Sequence, residues 1–276
     1  RLHLNIKKEN SNKYLLGYII MSLMIFLNAF INHKKTLKTP IDTSEITNNN
    51  EEPQNSTEVS TSDNSIITTE NTTSETKTTP EVTKKSTTIN MALTGDIMCH
   101  NTIYNDAFNK QSNTYDFSYL FDDIKYNIQT ADIAIGNLET TFAGSSKGYS
   151  SYPTFNTPEN LAYTLKKVGF DVLSTANNHC YDKGYSGIES TIDYLDDADI
   201  SHTGTFKSEE EQCKILIKNV KGIKIAFLSF TYGTNGIPVP SDKGYSVNLI
   251  DKDLIKKQLD LAKAQNPNMI CVSMHW

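Results

Sequence analysis

Ile89-Asn-Met-Ala-Leu-Thr-Gly-Asp-Ile-Met-Cys-His100 is an apolar run that stops at Gly95-Asp96. Four later segments follow the same plan: Ala-Ile-Gly-Asn-Leu-Glu at 134–139, Val-Leu-Ser-Thr-Ala-Asn-Asn-His at 172–179, Ala-Phe-Leu-Ser-Phe-Thr at 226–231 and Cys-Val-Ser-Met-His at 271–275. Each is an apolar strand-like run, and all but the 226–231 segment end on a side chain able to bind a metal or move a proton. If the runs are neighbouring strands of one sheet, Asp96, Glu139, Asn178, His179 and His275 converge on a single rim, where open α/β sheets keep their chemistry.

The segments between these runs have helical periodicity. Residues 117–130 carry Leu120, Phe121, Ile124 and Ile128 at helical spacing. Thr157-Pro-Glu is a helix start, with Thr as cap and Pro at the first helical position, and Leu161, Leu165 and Val168 form its buried stripe before Gly169 ends it. A third helix over 186–197 presents Ile188, Ile192 and Leu195. Lys221-Gly222 separates two strand-like runs and predicts a hairpin. Asp251 caps a last helix that runs through Ala264. Strands alternating with helices, with one inserted hairpin, imply an α/β layered fold.

The compact part is shorter than the chain. Residues 1–13 are polar and basic and read as a cytoplasmic tail. Residues 14–31 are 18 residues without a charge, the lower end of what spans a bilayer. A cleaved signal peptide is the rival, but Phe30-Ile-Asn-His-Lys-Lys offers no small-x-small cleavage site. The expected arrangement is therefore a single-pass anchor in the cell membrane, with the bulk of the protein outside. Residues 32–87, rich in Thr, Ser and Asn, cannot bury enough apolar surface to offset their ordering entropy and read as a disordered linker. Such a coil has a root-mean-square reach of roughly 40 Å. The folded domain is expected over 88–276. The chain starts at Arg1 and stops at Trp276, and it reads as an internal fragment of a longer frame.

A net charge of −6 argues against a nucleic-acid partner, which would require a basic face. Cysteines 99, 180, 213 and 271 have neither C-x-x-C nor framework spacing, so neither a structural zinc cluster nor a disulfide scaffold is expected.

Oxygen and imidazole donors without thiolates suit Mn, Fe, Zn or Mg rather than a soft metal. A two-metal site of that kind clamps a phosphoryl group and generates hydroxide from bound water. In such a site Asp96 and Glu139 supply negative charge, Asn178 is a neutral ligand, and His275 holds the second ion. His179 is then free to donate a proton to the leaving oxygen. Asp182 either orients that imidazole or caps the helix after Gly184. Asn137 and Asn177, beside these ligands, are assigned to substrate binding.

Thr94-Gly-Asp-Ile-Met98, Gly136-Asn-Leu-Glu139, Ala176-Asn-Asn-His179 with Asp182-Lys-Gly184, and Ser273-Met-His-Trp276 resemble the successive motifs of the bacterial CapA capsule-synthesis family, which includes the PgsA component of poly-γ-glutamate synthesis. The resemblance implies a four-layered α/β sandwich of the calcineurin-like metallophosphatase type, incomplete at its carboxyl end, on an extracytoplasmic domain behind one transmembrane helix and a linker. It also implies that Asp96 and Glu139 stand at the two acidic metal positions, Asn178 and His179 at the ligand and proton-donor pair, and His275 at the following histidine ligand. Met98 stands where the metallophosphatase Asp-x-His motif has its histidine, and His100 is out of that register. The expected activity is metal-dependent hydrolysis or transfer on a cell-surface polymer or its phosphorylated precursor. The alternative is a non-catalytic accessory that binds the polyanionic polymer or a membrane synthase.

Overall fold

The structure, a computed structural model, describes residues 2–6 and 86–276. Its elements run β1 (Leu2–Ile6), β2 (Thr87–Ile97), α1 (Asn101–Asp106), β3 (Phe108–Asn109), β4 (Thr114–Tyr115), α2 (Lys125–Gln129), β5 (Ile133–Leu138), α3 (Asn160–Val168), β6 (Val172–Ser174), α4 (Gly184–Asp197), β7 (Ser201–Thr203), α5 (Glu209–Cys213), β8 (Leu216–Val220), β9 (Ile223–Thr231), α6 (Lys252–Ala264) and β10 (Met269–His275). The anchor expected at 14–31 lies outside the described residues, as does the linker up to residue 85. Within the expected tail, Leu2–Ile6 pairs antiparallel with β2, Leu2 opposite Met91. No helix among the described residues is long and apolar enough to cross a membrane.

The five apolar runs do not share one sheet. Strands β2, β5, β6 and β7 are parallel neighbours in the order β1-β2-β5-β6-β7, whereas β9 pairs with β10 in parallel and with β8 antiparallel in a second sheet. Strand alternation explains why two sheets form, since β5, β6, β9 and β10 bury side chains on both faces and each needs a layer on either side. Ile89, Met91, Ile133, Ile135 and Val172 of the first sheet pack against Ile223, Ile225, Phe227, Met269 and Cys271 of the second. The intervening residues turn outward. Ala134, Leu138 and Leu173 meet Leu161, Leu165 and Leu195 of α3 and α4, and Ala226, Leu228, Phe230 and Ile270 meet Ala262 of α6. The result is a mixed α/β fold with a parallel sheet, its two larger sheets face to face with helices on their outer faces, and β3 and β4 pairing in a separate two-stranded ribbon.

Two local expectations change. Residues 117–130 form a 3₁₀ turn at Ser118–Phe121 followed by the short α2, and only Phe121 and Ile128 of the expected stripe are buried. The three-residue repeat of the 3₁₀ turn sets Leu120 off the face of Phe121, and both Leu120 and Ile124, which lies beyond the turn, are exposed. Thr157 does not cap α3: Glu159 holds that position without a side-chain cap, and the buried Thr157 hydroxyl lies 2.7 Å from that of Thr140. Asp251 does cap α6, accepting from the amides of Asp253 and Leu254 at 3.0 and 2.9 Å. Lys221 and Gly222 both have positive φ, 52° and 82°, and turn the β8–β9 hairpin.

Candidate metal centre

Asp96 reaches the rim through a β-bulge. Leu93 pairs with Ile135, but the next pair is Asp96 with Asn137, so β2 carries one more residue than β5 across Thr94-Gly95. A bulge of this kind bends its strand and re-aims the side chain that follows. Gly136 makes room beneath it: a Cβ there would lie 2.8 Å from Ile97 Cδ1 and 2.9 Å from Thr94 Oγ1.

Glu139 follows β5, and its backbone N–H donates to the Ile97 carbonyl at 3.0 Å. Its side chain is buried, with Oε2 unpartnered among the described residues. Burial, and secondarily the Asp96 carboxylate beside it, push the Glu139 carboxyl up to about 8.

His275, at the end of β10, completes the group from the second sheet. Its Nδ1 lies 3.9 Å from Asp96 Oδ1 and its Nε2 3.7 Å from Glu139 Oε1. Burial lowers its pKa, with the Asp96 charge opposing. One ligand atom each from Asp96, Glu139 and His275 fall within 4.8 Å of one another.

The loop after β6 supplies the rest. Asn178 Oδ1 lies 2.6 Å from His275 Nε2. His179 Nδ1 lies 2.8 Å from Asp182 Oδ2, an oxygen that also accepts the Phe155 backbone N–H at 2.6 Å. Asp182 therefore orients the imidazole and does not cap α4, whose cap position is Lys183. Phe155 packs edge-on against His179 at 4.7 Å. Beyond His179 opens a cleft of about 360 Å³ lined by Tyr152, Thr154, Asn178, Asn235 and Ile237.

Asn137 and Asn177 lie beneath the rim rather than on it. Asn177 is fully buried; its amide donates to the Leu138 carbonyl at 2.7 Å and its Oδ1 accepts the His179 backbone N–H at 3.1 Å. Asn137 donates to Asp96 Oδ1 at 2.8 Å and accepts from Ser174 Oγ at 2.9 Å. Both brace the segments that carry Asp96 and His179, and both are buried. His100 is not among the gathered ligand atoms: its Nδ1 lies 3.0 Å from Ser151 Oγ and its ring meets Phe155 edge-on at 5.2 Å. Sequence reading missed Phe155 and Asn235. The first carries no signal beyond hydrophobicity, and Asn235-Gly236 reads simply as a turn.

Fold and rim together describe an α/β protein with carboxylates, amides and imidazoles gathered where the parallel strands of two sheets end. Residues 90–276 match the family described as Bacterial capsule synthesis protein PGA_cap, and the chain belongs to that family. It is 26% identical over 195 residues to the Capsule biosynthesis protein CapA of Bacillus anthracis, covering 68% of this chain and 46% of that protein. It is 24% identical over 192 residues to the PGA biosynthesis protein CapA of Bacillus subtilis (strain 168), covering 68% and 49%. An uncharacterized protein of Sinorhizobium fredii (strain NBRC 101917 / NGR234), y4sH, is 31% identical over 117 residues, covering 40% of this chain and 25% of that protein. The chain thus spans about half the length of the two CapA relatives.

Proposed function

We propose that this protein acts in the synthesis or export of capsule or poly-γ-glutamate, through a metallophosphatase-type rim that binds a divalent ion and catalyses hydrolysis or transfer on the polymer or its phosphorylated precursor. The observation that carries this is Glu139: a carboxylate buried with one oxygen unpartnered, within ligand distance of Asp96 and His275. Ionising this carboxyl in its buried place is costly, which is what raises its pKa, and a cation bound by this trio removes that cost.

The donor set fits Mn, Fe, Zn or Mg, with Asp96, Glu139 and His275 as ligands and Asn178 as a neutral fourth. A bound ion would supply Lewis acidity and an activated water. This chain's own residues do the rest. Burial favours the neutral form of His275, the form that ligates. Asp182 holds the His179 ring through Nδ1, leaving Nε2 to carry a proton to a leaving oxygen. The cleft beside His179 admits the leaving group, whereas a polyanionic chain would approach along the Asp96 side, where a bound cation offsets the carboxylates.

The accessory reading, in which the rim binds the polyanion or a membrane synthase without chemistry, is favoured by one observation. Met98 leaves Asp96 without a histidine two residues on, so the donor set near it is thin.

We place the domain outside the cell behind an anchor at 14–31. A single span there and the pairing of β1 with β2 exclude each other, because the span puts Leu2–Ile6 across the bilayer from the domain. Membrane-inserted protein is therefore expected to have β1 released, with a cysteine at position 5 protected from impermeant thiol reagents outside the cell.

The test of the catalytic reading is metal content and phosphoesterase activity of the protein expressed from its complete reading frame. Bound metal, and activity lost in Asp96→Ala and His179→Ala, are expected. Metal-free wild type, or activity unchanged in both variants, overturns it, and polymer export that survives Asp96→Ala points to the accessory role.

A further inference from the structure

Asn235 sits in the turn that follows β9, where Thr234 Oγ1 donates to the Ile237 carbonyl at 2.6 Å and the Ile237 N–H donates to the Thr234 carbonyl at 2.9 Å. Its φ of 51° is left-handed, a conformation asparagine tolerates better than most residues. From there its amide reaches the rim. Oδ1 lies 3.0 Å from Asn178 Nδ2 and 3.4 Å from the Tyr232 hydroxyl, and Nδ2 lies 3.3 and 3.5 Å from the two ring nitrogens of His179.

The direction of every bond in this chain follows from the Asp96 carboxylate, which can only accept. Asn137 must point Nδ2 at it, and that same Nδ2 lies 3.4 Å from His275 Nδ1. The Asn137 orientation is also fixed behind, where its Oδ1 accepts from Ser174 and Asn177. His275 Nδ1 is therefore the acceptor, and the proton of neutral His275 sits on Nε2. That N–H donates to Asn178 Oδ1 at 2.6 Å, which leaves Asn178 Nδ2 to face Asn235 Oδ1. Asn235 Nδ2 then faces His179, whose Nδ1–H is given to Asp182.

We propose that Asn235 is a positioning residue of the metal centre, and that by accepting from Asn178 Nδ2 it holds the Asn178 carbonyl oxygen toward Asp96, Glu139 and His275. The inference rests on the metal-binding reading above. An amide binds a metal through its oxygen, and the two ends of an amide differ little in shape. Without Asn235, Asn178 is free to turn its NH2 toward the centre. Tyr232 steadies the arrangement from the same loop: its ring stacks on His275, centroids 6.3 Å apart and planes 15° apart, while its hydroxyl reaches Asn235 Oδ1.

The experiment is calorimetric titration of the full chain with Mn²⁺ in wild type, Asn235→Gly, Asn235→Asp, Asn178→Ala and the Asn178→Ala/Asn235→Gly pair. Glycine accepts the left-handed backbone without strain, so Asn235→Gly removes the amide and leaves the turn. It is expected to weaken Mn²⁺ binding by about 10- to 100-fold, the usual effect of losing a group that orients a ligand. Asn235→Asp, which still accepts from Asn178, should bind close to wild type. The double variant should bind no more weakly than Asn178→Ala alone. Equal losses in the Gly and Asp variants, or additive losses in the pair, overturn the proposal.

If wild type takes up no Mn²⁺, the metal reading fails, and Asn235 is then judged in the metal-free protein by the side-chain amide NMR signals of Asn178. One protected pair is expected in wild type and Asn235→Asp, with averaged, exchanging signals in Asn235→Gly. Signals unchanged by Asn235→Gly overturn the positioning role.

Discussion

A single oxygen of Asp182 binds both the His179 ring, at 2.8 Å from Nδ1, and the backbone N–H of Phe155, at 2.6 Å. One buried carboxylate thus fixes the ring of the proposed proton donor and the loop that walls its cleft. Removing it leaves two buried donors unpaired, at about 1–3 kcal/mol each. Asp182→Ala is expected to lose on the order of 2–4 kcal/mol of unfolding free energy in urea, whereas Asp182→Asn, which keeps an acceptor for Phe155, loses less. Stability of the Ala variant equal to that of wild type would show that the Asp182 bonds contribute nothing net.

The bulge that aims Asp96 depends on Gly136. A Cβ there meets Ile97 and Thr94 inside 3 Å and Phe170 at 3.1 Å, so Gly136→Ala should cost about 1–3 kcal/mol by overpacking. Gly95, in the bulge itself, has nothing within 4 Å of a Cβ and no positive φ. Gly95→Ala should stay within about 0.5 kcal/mol of wild type. Thermal melts of the two variants check the contrast, and equal effects would mean that the packing under the bulge does not set its geometry.

The strands and their chemistry were legible because four of the five apolar runs end on a carboxylate, an amide or an imidazole, and the geometry brings Asp96, Glu139, Asn178 and His275 together as that pattern implied. The division of the strands into two sheets was not legible. A strand covered on both faces reads as the same apolar run whichever sheet it joins. Residue type also failed to separate the three asparagines singled out in the sequence: Asn178 borders the cleft, while Asn137 and Asn177 are struts below the rim. Asn235 enters from a turn 56 residues after His179, and no local pattern announces a contact set by the packing of two sheets.

Glu139 makes stability fall with pH in the absence of metal. Its folded pKa of about 8 lies above the ordinary 4.5, so between these values the folded chain holds a proton that the unfolded chain releases. The stability this contributes is complete below pH 4.5 and is lost as pH rises through about 8. His275 acts in the opposite direction: its lowered pKa penalises folding at acid pH, where the unfolded imidazole takes up a proton. Comparing wild type with Glu139→Gln cancels the His275 contribution. The difference in unfolding free energy should move in favour of the variant as pH rises from 5 to 8.5, by on the order of a few kcal/mol. Parallel pH profiles would mean that Glu139 ionises normally.

A bound divalent ion should reverse that loss, because it replaces the proton on Glu139. Adding Mn²⁺ at a hundredfold excess over its dissociation constant is expected to stabilise the wild-type protein by about 2.7 kcal/mol, and chelation should remove the gain. Protons compete for the same carboxylate, so the stabilisation at a fixed metal concentration should be larger at pH 8 than at pH 6. Asp96→Asn, Glu139→Gln and His275→Ala should each lose most of the shift. Asn177→Ala behaves differently: it removes a buried strut, so it lowers the metal-free melting temperature while part of the metal shift remains. Scanning calorimetry with and without Mn²⁺ at both pH values separates these outcomes. A shift that survives in all three ligand variants would place the ion elsewhere on the protein.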